Sequence, residues 1–266
     1  MRAPTVHVHD LRLALPGRDG PLPVLDGVTF TVPAGRVAAV VGRSGCGKST
    51  LLSILAGLQD ADSGRVVLDG DPGARRLGRL TLMPQRDALM PWRTVAGNVA
   101  VAAELAGVPR RRADALARDA LGRYGLAGFE DHYPHALSGG MRQRAALART
   151  LLAGSGAWLL DEPFGALDAL TRADLVTHLE AVWAEHRPTV VLVTHDLDEA
   201  LMLADTVVVL TPLPARVADV VPVELDRPRG LASTAGPAFA AAKRRIVDAL
   251  ASAGALPEGA LTGATA

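Results

Sequence analysis

The chain has 266 residues and a mass of 27.6 kDa, which favours one α/β unit with inserted subdomains. Its 28 basic and 28 acidic residues cancel, and aromatic residues make up only 3%, so neither bulk electrostatic binding of nucleic acid or anionic lipid nor a base-stacking platform is expected. A single cysteine excludes an internal disulfide, and the lack of a membrane-spanning run or a signal-peptide stretch predicts a cytosolic protein that only other chains hold at a membrane.

The first part of the chain is predicted to form short strands around a single helix. Residues 16–23 are rich in glycine, proline and aspartate and are typical of a turn. The run VAAVV at 37–41 is that of a buried strand in a parallel sheet, and leucines recur after it at helical spacing. The strands expected here are 5–15, 28–32, 37–41, 65–69 and 80–83, and the helical leucines are Leu51, Leu52, Leu55 and Leu58.

The second part combines a helical stretch with a return of strands. Residues 88–152 show helical periodicity and predict a helical insertion. Strands expected at 157–160, 190–193 and 207–210, with helices between them, indicate a parallel sheet. A last helix is predicted from Pro237, and the residues beyond Ala251 are expected to fray. Its apolar face comprises Phe239, Ala242, Ile246, Val247 and Leu250.

A glycine-rich loop follows the strand at 37–41. Its sequence GRSGCGKST fits the G-x-x-x-x-G-K-[ST] phosphate loop, in which glycines let backbone amides converge on phosphate oxygens. Lys48 is predicted to contact the β- and γ-phosphates, and Ser49 to ligate a magnesium ion. The predicted nucleotide-binding residues of this loop are Gly42, Arg43, Ser44, Gly45, Cys46, Gly47, Lys48, Ser49 and Thr50.

Two adjacent acidic residues follow the strand at 157–160. That strand carries Asp161 to its carboxyl end, beside the phosphate loop, where the side chain suits a magnesium role. Glu162 then lies next to the γ-phosphate and is predicted to polarise a water molecule, general-base work that contributes about 10²–10⁴ in rate. An acidic pair at a helix start is the alternative, and the phosphate loop upstream disfavours it.

The segment LSGGMRQRAALART, residues 137–150, begins with a good helix cap. Ser138 is predicted to be the N-cap, and Gly139 and Gly140 leave the first-turn amides bare, which makes a second anion site. One ATP does not require two such sites in one chain. Two chains facing head-to-tail would each lend this site to the nucleotide of the other; a plain helix cap is the alternative.

Together, these motifs resemble the ATPase subunit of ATP-binding-cassette (ABC) transporters over about Thr5 to Arg229. The resemblance implies an α/β fold: a P-loop NTPase core with a mixed, mainly parallel sheet and flanking helices, an inserted helical subdomain at about 88–152 and a small N-terminal antiparallel β subdomain. It implies an ATPase domain over residues 4–230, followed by a C-terminal helix and tail over 231–266. LSGG matches the signature motif of the family.

Three further positions match the family in chain order. Gln85, in LMPQ, falls at the Q-loop glutamine, which senses magnesium and the attacking water. Residues 165–168 (GALD) match the D-loop, which crosses to the partner subunit, and His195, in VTHD, matches the switch histidine at the γ-phosphate. The resemblance implies Glu162, His195 and Gln85 as catalytic residues, and Ser49, Gln85 and Asp161 as magnesium ligands.

The stretch ALMPWRTVAGNV, residues 88–99, narrows the resemblance to importer ATPases for nitrate, sulfonate, taurine and thiamine precursors. In those proteins the region after the Q-loop receives a helix of the membrane subunit, so contact with permease subunits is expected through residues 85–99. Pro91 and Trp92 would form an exposed patch there. Packing of Trp92 under the helical insertion is the alternative.

One position departs from the family pattern. Many members have an aromatic residue that stacks on adenine where this chain has Leu15. Contact with adenine through Leu15 is therefore expected to be mainly apolar and less selective for the base. Met141 stands where glutamine is commoner in the signature, and activity is expected to be retained because Met141 follows the phosphate-facing Ser138.

The sequence thus predicts the ATP-hydrolysing subunit of an ABC importer for a solute of that kind. ATP with Mg²⁺ would close a homodimer at the cytoplasmic face of the membrane; permease subunits and a periplasmic or lipid-anchored solute-binding protein would complete the system, with no nucleic acid. The alternatives are an exporter ATPase, a non-transport ABC ATPase and a P-loop kinase or GTPase. The Trp92 pattern, the short spacing between Lys48 and Ser138, and the LSGG element argue against them in turn.

Overall fold

The computed structural model describes residues 2–71, 73–74 and 76–256. Strands come first in this part of the chain, and helices alternate with strands after them. In chain order the elements are β1 (Val6–Gly17), β2 (Gly20–Val32), β3 (Val37–Val41), α1 (Lys48–Ala56), β4 (Ser63–Leu68), β5 (Leu80–Met83), α2 (Val95–Leu105), α3 (Arg110–Arg123), α4 (Gly139–Leu152), β6 (Ala157–Asp161), α5 (Ala169–His186), β7 (Thr189–Val193), α6 (Leu197–Leu203), β8 (Thr206–Leu210), β9 (Val217–Pro222) and α7 (Pro237–Ser252).

The larger sheet has six strands in the order β5-β6-β7-β3-β8-β9. The first five run parallel, and β9 at the edge is antiparallel to β8. β3, β6 and β7 are buried along their whole length, as expected for strands that are covered on both faces. Alternate residues of β3 therefore face two cores: Val37, Ala39 and Val41 pack with the helices α2–α7, whereas Ala38 and Val40 pack with α1 and the smaller sheet.

The smaller sheet is antiparallel, in the order β2-β1-β4. β1 and β2 form a long hairpin in which Leu15 pairs with Leu22. The turn predicted over 16–23 is therefore wrong for most of its length, because only Arg18 and Asp19 connect the two strands. The prolines of this segment are tolerated because this end of β1 pairs with β2 alone, which leaves the main chain on the other side of the hairpin unpaired.

The helical insertion lies between β5 and β6 and contains α2, α3 and α4. Its start differs from the prediction: residues 88–94 are irregular, and α2 begins only after its N-cap, Thr94, whose hydroxyl accepts a hydrogen bond from Gly97 N. The mainly parallel sheet, the antiparallel three-stranded sheet and the inserted helices confirm the predicted fold class. The domain boundaries given above remain a prediction.

The C-terminal helix α7 begins at Pro237 as predicted and buries Phe239, Ile246 and Leu250. Ala255 is also buried in the same core, so the expectation that the chain frays beyond Ala251 is wrong for residues 252–256. The rest of the predicted tail, residues 257–266, lies outside the described residues. Helices long and apolar enough to cross a membrane are absent from residues 2–256 wherever the structure describes them.

The edge strand β9 is the element that the sequence does not predict. Its sequence VADVVP has neither the strict alternation of a half-buried strand nor a continuous apolar run. Pairing with β8 over Thr206–Leu210 places it, so its position is a tertiary effect rather than a local one.

Candidate active site

The phosphate loop joins β3 to α1, whose N-cap is Gly47. Gly47 has φ +104°, and a Cβ there would lie 2.8 Å from Val24 Cγ1, so both the backbone conformation and the space require glycine. Lys48 is buried, and its Nζ donates hydrogen bonds to the carbonyl oxygens of Gly42 and Arg43 at 2.8 and 3.0 Å. The loop thus holds its lysine at the N-terminal end of a helix, where phosphate oxygens are favoured.

An open cleft runs along this loop. One end is apolar, because the β1–β2 hairpin contributes Leu15, Leu22 and Val24 to it, and Leu213 lies at the same end. The other end is polar. The lining residues are Leu15, Leu22, Val24, Ser44, Gly45, Gly47, Lys48, Ser49, Thr50, Gln85, Glu162, Val193 and Leu213.

Cys46 differs from its neighbours in the loop, because its side chain faces inward. It is buried, and this burial raises the pKa of its thiol above the ordinary range. Cys46 is therefore a packing residue beneath the loop, and it is not among the described residues that line the cleft.

Glu162 lies at the centre of a cluster of polar side chains. Its Oε2 accepts a hydrogen bond from Gln85 Nε2 at 3.2 Å, and its Oε1 lies 3.4 Å from His195 Nδ1. The three predicted catalytic residues, which are far apart in the sequence, are thus brought together: Gln85 and Glu162 line the polar end of the cleft, and His195 contacts Glu162 beside it. The Glu162 side chain is 23% exposed, so it is accessible to a water molecule while most of its surface is covered.

Asp161 ends β6 immediately before Glu162. It is buried, and its Oδ1 has no hydrogen-bond partner. Burial raises the pKa of Asp161, and the charge of Glu162 adds to this, whereas Ser49 and Lys48 lower it. A buried carboxylate oxygen without a donor, beside a hydroxyl and a phosphate loop, is suited to a hard cation.

The loop that carries His195 is fixed from two sides. Asp196 is the N-cap of α6 and accepts hydrogen bonds from the main chain of its first turn. Arg172 on α5 donates to Asp196 Oδ2 at 3.2 Å and to the carbonyl oxygen of Leu167 at 3.1 Å. Arg172 therefore connects the histidine loop to the segment at 165–168.

The signature residues lie at the start of α4. Ser138 is the N-cap of α4, as predicted, and its hydroxyl accepts a hydrogen bond from Met141 N at 3.3 Å. Ser138 and Gly139 are exposed, and a Cβ on Gly140 would lie 3.1 Å from Leu167 Cδ2. Ser138, Gly139 and Gly140 are not among the described residues that line the cleft of their own chain.

Trp92 is 74% exposed, so packing under the helical insertion is excluded in this chain. The irregular segment that presents it is organised by Asn98, which is fully buried on α2. Asn98 Oδ1 accepts from Met90 N at 2.6 Å, and its Nδ2 donates to the carbonyl oxygens of Met90, Arg93 and Thr94 at 3.0–3.2 Å. A buried amide with four partners gives this segment one defined shape.

Comparison with known proteins agrees with this geometry. A family profile described as "ABC transporter" matches residues 25–165. The chain belongs to the ABC transporter family. It is an ATP-binding, ATP-hydrolysing cassette of that family, and its match begins within β2 and includes both the phosphate loop and Glu162.

Named relatives and solved structures are similar to the chain over most of its length. The taurine import ATP-binding protein TauB of Burkholderia thailandensis is 46% identical over 209 residues, 79% of this chain and 80% of that protein. The aliphatic sulfonates import ATP-binding protein SsuB 2 of Agrobacterium fabrum is 46% identical over 187 residues, 70% of each chain. The dimeric post-hydrolysis structure of the ATP-binding cassette MJ0796 with ADP and Pi is 25% identical, with a TM-score of 0.75 over 83% of this chain and all of that one.

The sequence motifs do not predict several residues near the site, among them Leu22, Leu213, Asn98 and Gln143. Leu22 and Leu213 join the apolar end of the cleft through strand pairing and a distant loop, for which the local sequence carries no signal. Asn98 and Gln143 stand inside segments that the motifs cover. A polar residue on an otherwise apolar helical face is the signal that marks both of them.

Proposed function

We propose that this chain is the ATP-hydrolysing subunit of an importer for a small sulfonate-like solute. The single observation that carries the chemistry is the cluster of Gln85, Glu162 and His195, of which Gln85 and Glu162 line the polar end of the cleft that the phosphate loop also lines. The names of the taurine and sulfonate relatives support import and the solute class. Nitrate and thiamine precursors are the further solutes that the sequence pattern allows.

Each residue of the cleft has a proposed role in hydrolysis. The amides of residues 42–50 and the Lys48 ammonium hold the phosphates, and Leu15 with its apolar neighbours contacts adenine. Glu162 takes a proton from the attacking water. Gln85 and His195, which contact the two oxygens of that carboxylate, position the water and the γ-phosphate.

Magnesium fits the acidic end of this site. Asp161 provides a buried oxygen without a hydrogen-bond partner, and the Ser49 hydroxyl and the Gln85 amide oxygen are the other proposed ligands. The ion would neutralise charge on the phosphate oxygens. Mixed carboxylate, hydroxyl and amide oxygens are the donor set that this ion prefers, so the chain's own residues fit it.

The exposed signature residues support a head-to-tail homodimer. Ser138, Gly139 and Gly140 offer bare amides at the start of α4 but do not line the cleft of their own chain. In the proposed dimer they bind the γ-phosphate of the nucleotide held by the partner. The dimeric state in which the similar MJ0796 cassette was solved supports this arrangement.

The segment at 85–99 is the proposed contact with the permease subunits. It starts at Gln85 and presents Pro91 and Trp92 to solvent, with its shape fixed by Asn98. Exposed tryptophan beside a rigid proline is typical of an interface anchor. This contact would hold the chain at the cytoplasmic face of the membrane, and a periplasmic or lipid-anchored binding protein would deliver the solute.

The test is transport by the complete system. The chain is co-expressed with candidate permease and binding-protein subunits from the same genome, and uptake of labelled taurine into proteoliposomes is measured with ATP inside or outside. We expect uptake only with ATP on the ATPase side, competed by alkanesulfonates more strongly than by nitrate or thiamine precursors. Solute export would indicate the exporter alternative, and failure to bind any permease would indicate a non-transport ATPase.

A further inference from the structure

Glu162 carries its carboxylate on an unusual main chain. Its φ is +48°, in the left-handed region that glutamate rarely adopts, and such a conformation persists only where the surroundings hold it. The N–H of Glu162 donates to the carbonyl oxygen of Val193 at 2.9 Å. Its carbonyl oxygen accepts from Gly165 N and from Gln143 Nε2, both at 3.2 Å. The aim of the carboxylate therefore depends on these three hydrogen bonds.

Gln143 differs from the other two partners. Val193 and Gly165 act through their main chain, whereas Gln143 is the one side chain of the described residues that donates to the main chain of Glu162. It lies on α4, is 5% exposed, and belongs to the helical insertion rather than to the strand and turn that surround Glu162. Burial of a side-chain amide costs free energy unless the amide is hydrogen-bonded, and the Gln143 amide makes its hydrogen bond to the strained residue Glu162.

The helix that carries Gln143 also contacts the other side of the catalytic cluster. Arg142 Nε donates to Asp87 Oδ2 at 2.9 Å, and Arg149 donates to the carbonyl oxygens of Asp87 and Ala88 at 2.8 Å. These residues directly follow Gln85, whose amide contacts the Glu162 carboxylate. α4 therefore supports both the main chain and the side-chain partner of Glu162.

We propose that Gln143 is a positioning residue for ATP hydrolysis, which holds the main chain of Glu162 so that its carboxylate points between Gln85 and His195. This inference rests on the role proposed above for Glu162. It also gives α4 two tasks: its cap, Ser138, serves the nucleotide of the partner, and Gln143 in its second turn serves the nucleotide of its own chain.

The test compares Gln143→Met and Gln143→Glu with Arg144→Met. Both changes at Gln143 keep the length of the side chain and remove its donor. Arg144 lies next to Gln143 on α4 but donates to the carbonyl oxygens of Tyr124 and Gly125, away from Glu162. Steady-state hydrolysis, the Kd of ATP and the melting temperature are measured for each variant.

We expect both Gln143 variants to lose about tenfold to a hundredfold in kcat, with the Kd of ATP within about twofold of wild type, because only the aim of the general base changes. The Arg144 variant should keep its kcat. Wild-type kcat in both Gln143 variants would overturn the inference. A loss of kcat in proportion to the fall in melting temperature in all three variants would also overturn the inference.

A parallel measurement on Glu162→Gln separates this inference from the proposed function. An inactive Glu162→Gln variant with fully active Gln143 variants overturns only the role of Gln143. Near-normal hydrolysis by Glu162→Gln overturns the role of Glu162 and, with it, the reason to position that residue.

Discussion

The N-terminal ends of α1 and α4 both present main-chain amides of a first helical turn, after the N-caps Gly47 and Ser138, but their surroundings differ. The α1 end forms one wall of a cleft in which Lys48, Gln85 and Glu162 converge. The α4 end, at Ser138, is exposed and is not among the described residues that line this cleft. The amides at the start of α1 thus lie in a nearly complete site, whereas those at the start of α4 lie at an exposed surface.

This difference indicates which work one chain performs alone. Binding of ATP and the aim of the general base depend on contacts within the chain, so they should tolerate changes at the exposed end of α4. Hydrolysis should require both ends, because in the proposed head-to-tail dimer the α4 end acts on the nucleotide of the other copy. Substitutions confined to one region should therefore separate binding from hydrolysis.

Replacement of Glu162 by glutamine should have the largest effect. Hydrolysis should fall by about 10²–10⁴, because the general base is lost, while Lys48 and the loop amides still bind ATP. Trapped nucleotide should then hold a stable dimer. Phosphate release and size-exclusion chromatography with ATP measure the two effects, with Glu185→Gln on the exposed surface of α5 as the control. A monomer in the presence of ATP would contradict this prediction.

Replacement of Ser138 by arginine should affect only the exposed N-terminal end of α4. The bulky side chain blocks the α4 amides, so hydrolysis should fall on the order of 10², comparable with the loss of a transition-state donor. ATP binding by the monomer should be unchanged. Equilibrium dialysis and a hydrolysis assay measure this, and His135→Arg places the same side chain just before the helix as a control. Weaker binding of ATP to the Ser138 variant monomer would mean that Ser138 serves its own chain.

Removal of the Trp92 side chain should leave both helix ends intact. Since the residue is 74% exposed, Trp92→Ala should change the free energy of unfolding by about 0.5 kcal/mol or less and basal hydrolysis little. Association with the permease should weaken by about 2 kcal/mol, roughly thirtyfold in Kd. Leu105→Ala, at the far end of α2 and 85% exposed, is the control. A large fall in melting temperature would contradict the interface role.

Changes at the apolar end of the cleft should have the smallest effect. Because Leu15 and its neighbours are aliphatic, the preference for ATP over GTP should stay below about a hundredfold in hydrolysis. Leu15→Trp should tighten ATP binding by about 1 kcal/mol, roughly fivefold in Kd, because it adds a stacking surface. Isothermal titration with both nucleotides measures this. Unchanged affinity in that variant would place adenine elsewhere.

Comparison of the two regions also shows how far sequence reasoning extends. The phosphate loop and the Ser138 cap follow from local rules, since glycine conformation and N-cap chemistry depend on a few adjacent residues. The cluster at Glu162 does not, because Gln85 and His195 meet it only through the order of β5, β6 and β7. Family resemblance supplied that connection.

The sequence does not predict the contacts that no motif encodes. Leu22 lines the cleft because it pairs with Leu15 in the β1–β2 hairpin, and the proline-rich sequence there predicts a turn instead of paired strands. The partners of Asn98 and Gln143 are main-chain groups, which carry no residue-type signal. The exposure of Trp92 was left open by the sequence, because an apolar side chain beside a helix is compatible with both burial and an interface.

The most direct test of the shared site is hydrolysis by mixed dimers of Glu162→Gln and Ser138→Arg chains. In a head-to-tail dimer, one site receives both defects and the other receives Glu162 and Ser138 intact. Mixing two nearly inactive variants should therefore restore hydrolysis well above the mean of the separate proteins. If Ser138 serves its own chain, each site keeps one defect, and activity of the mixture would stay at that mean.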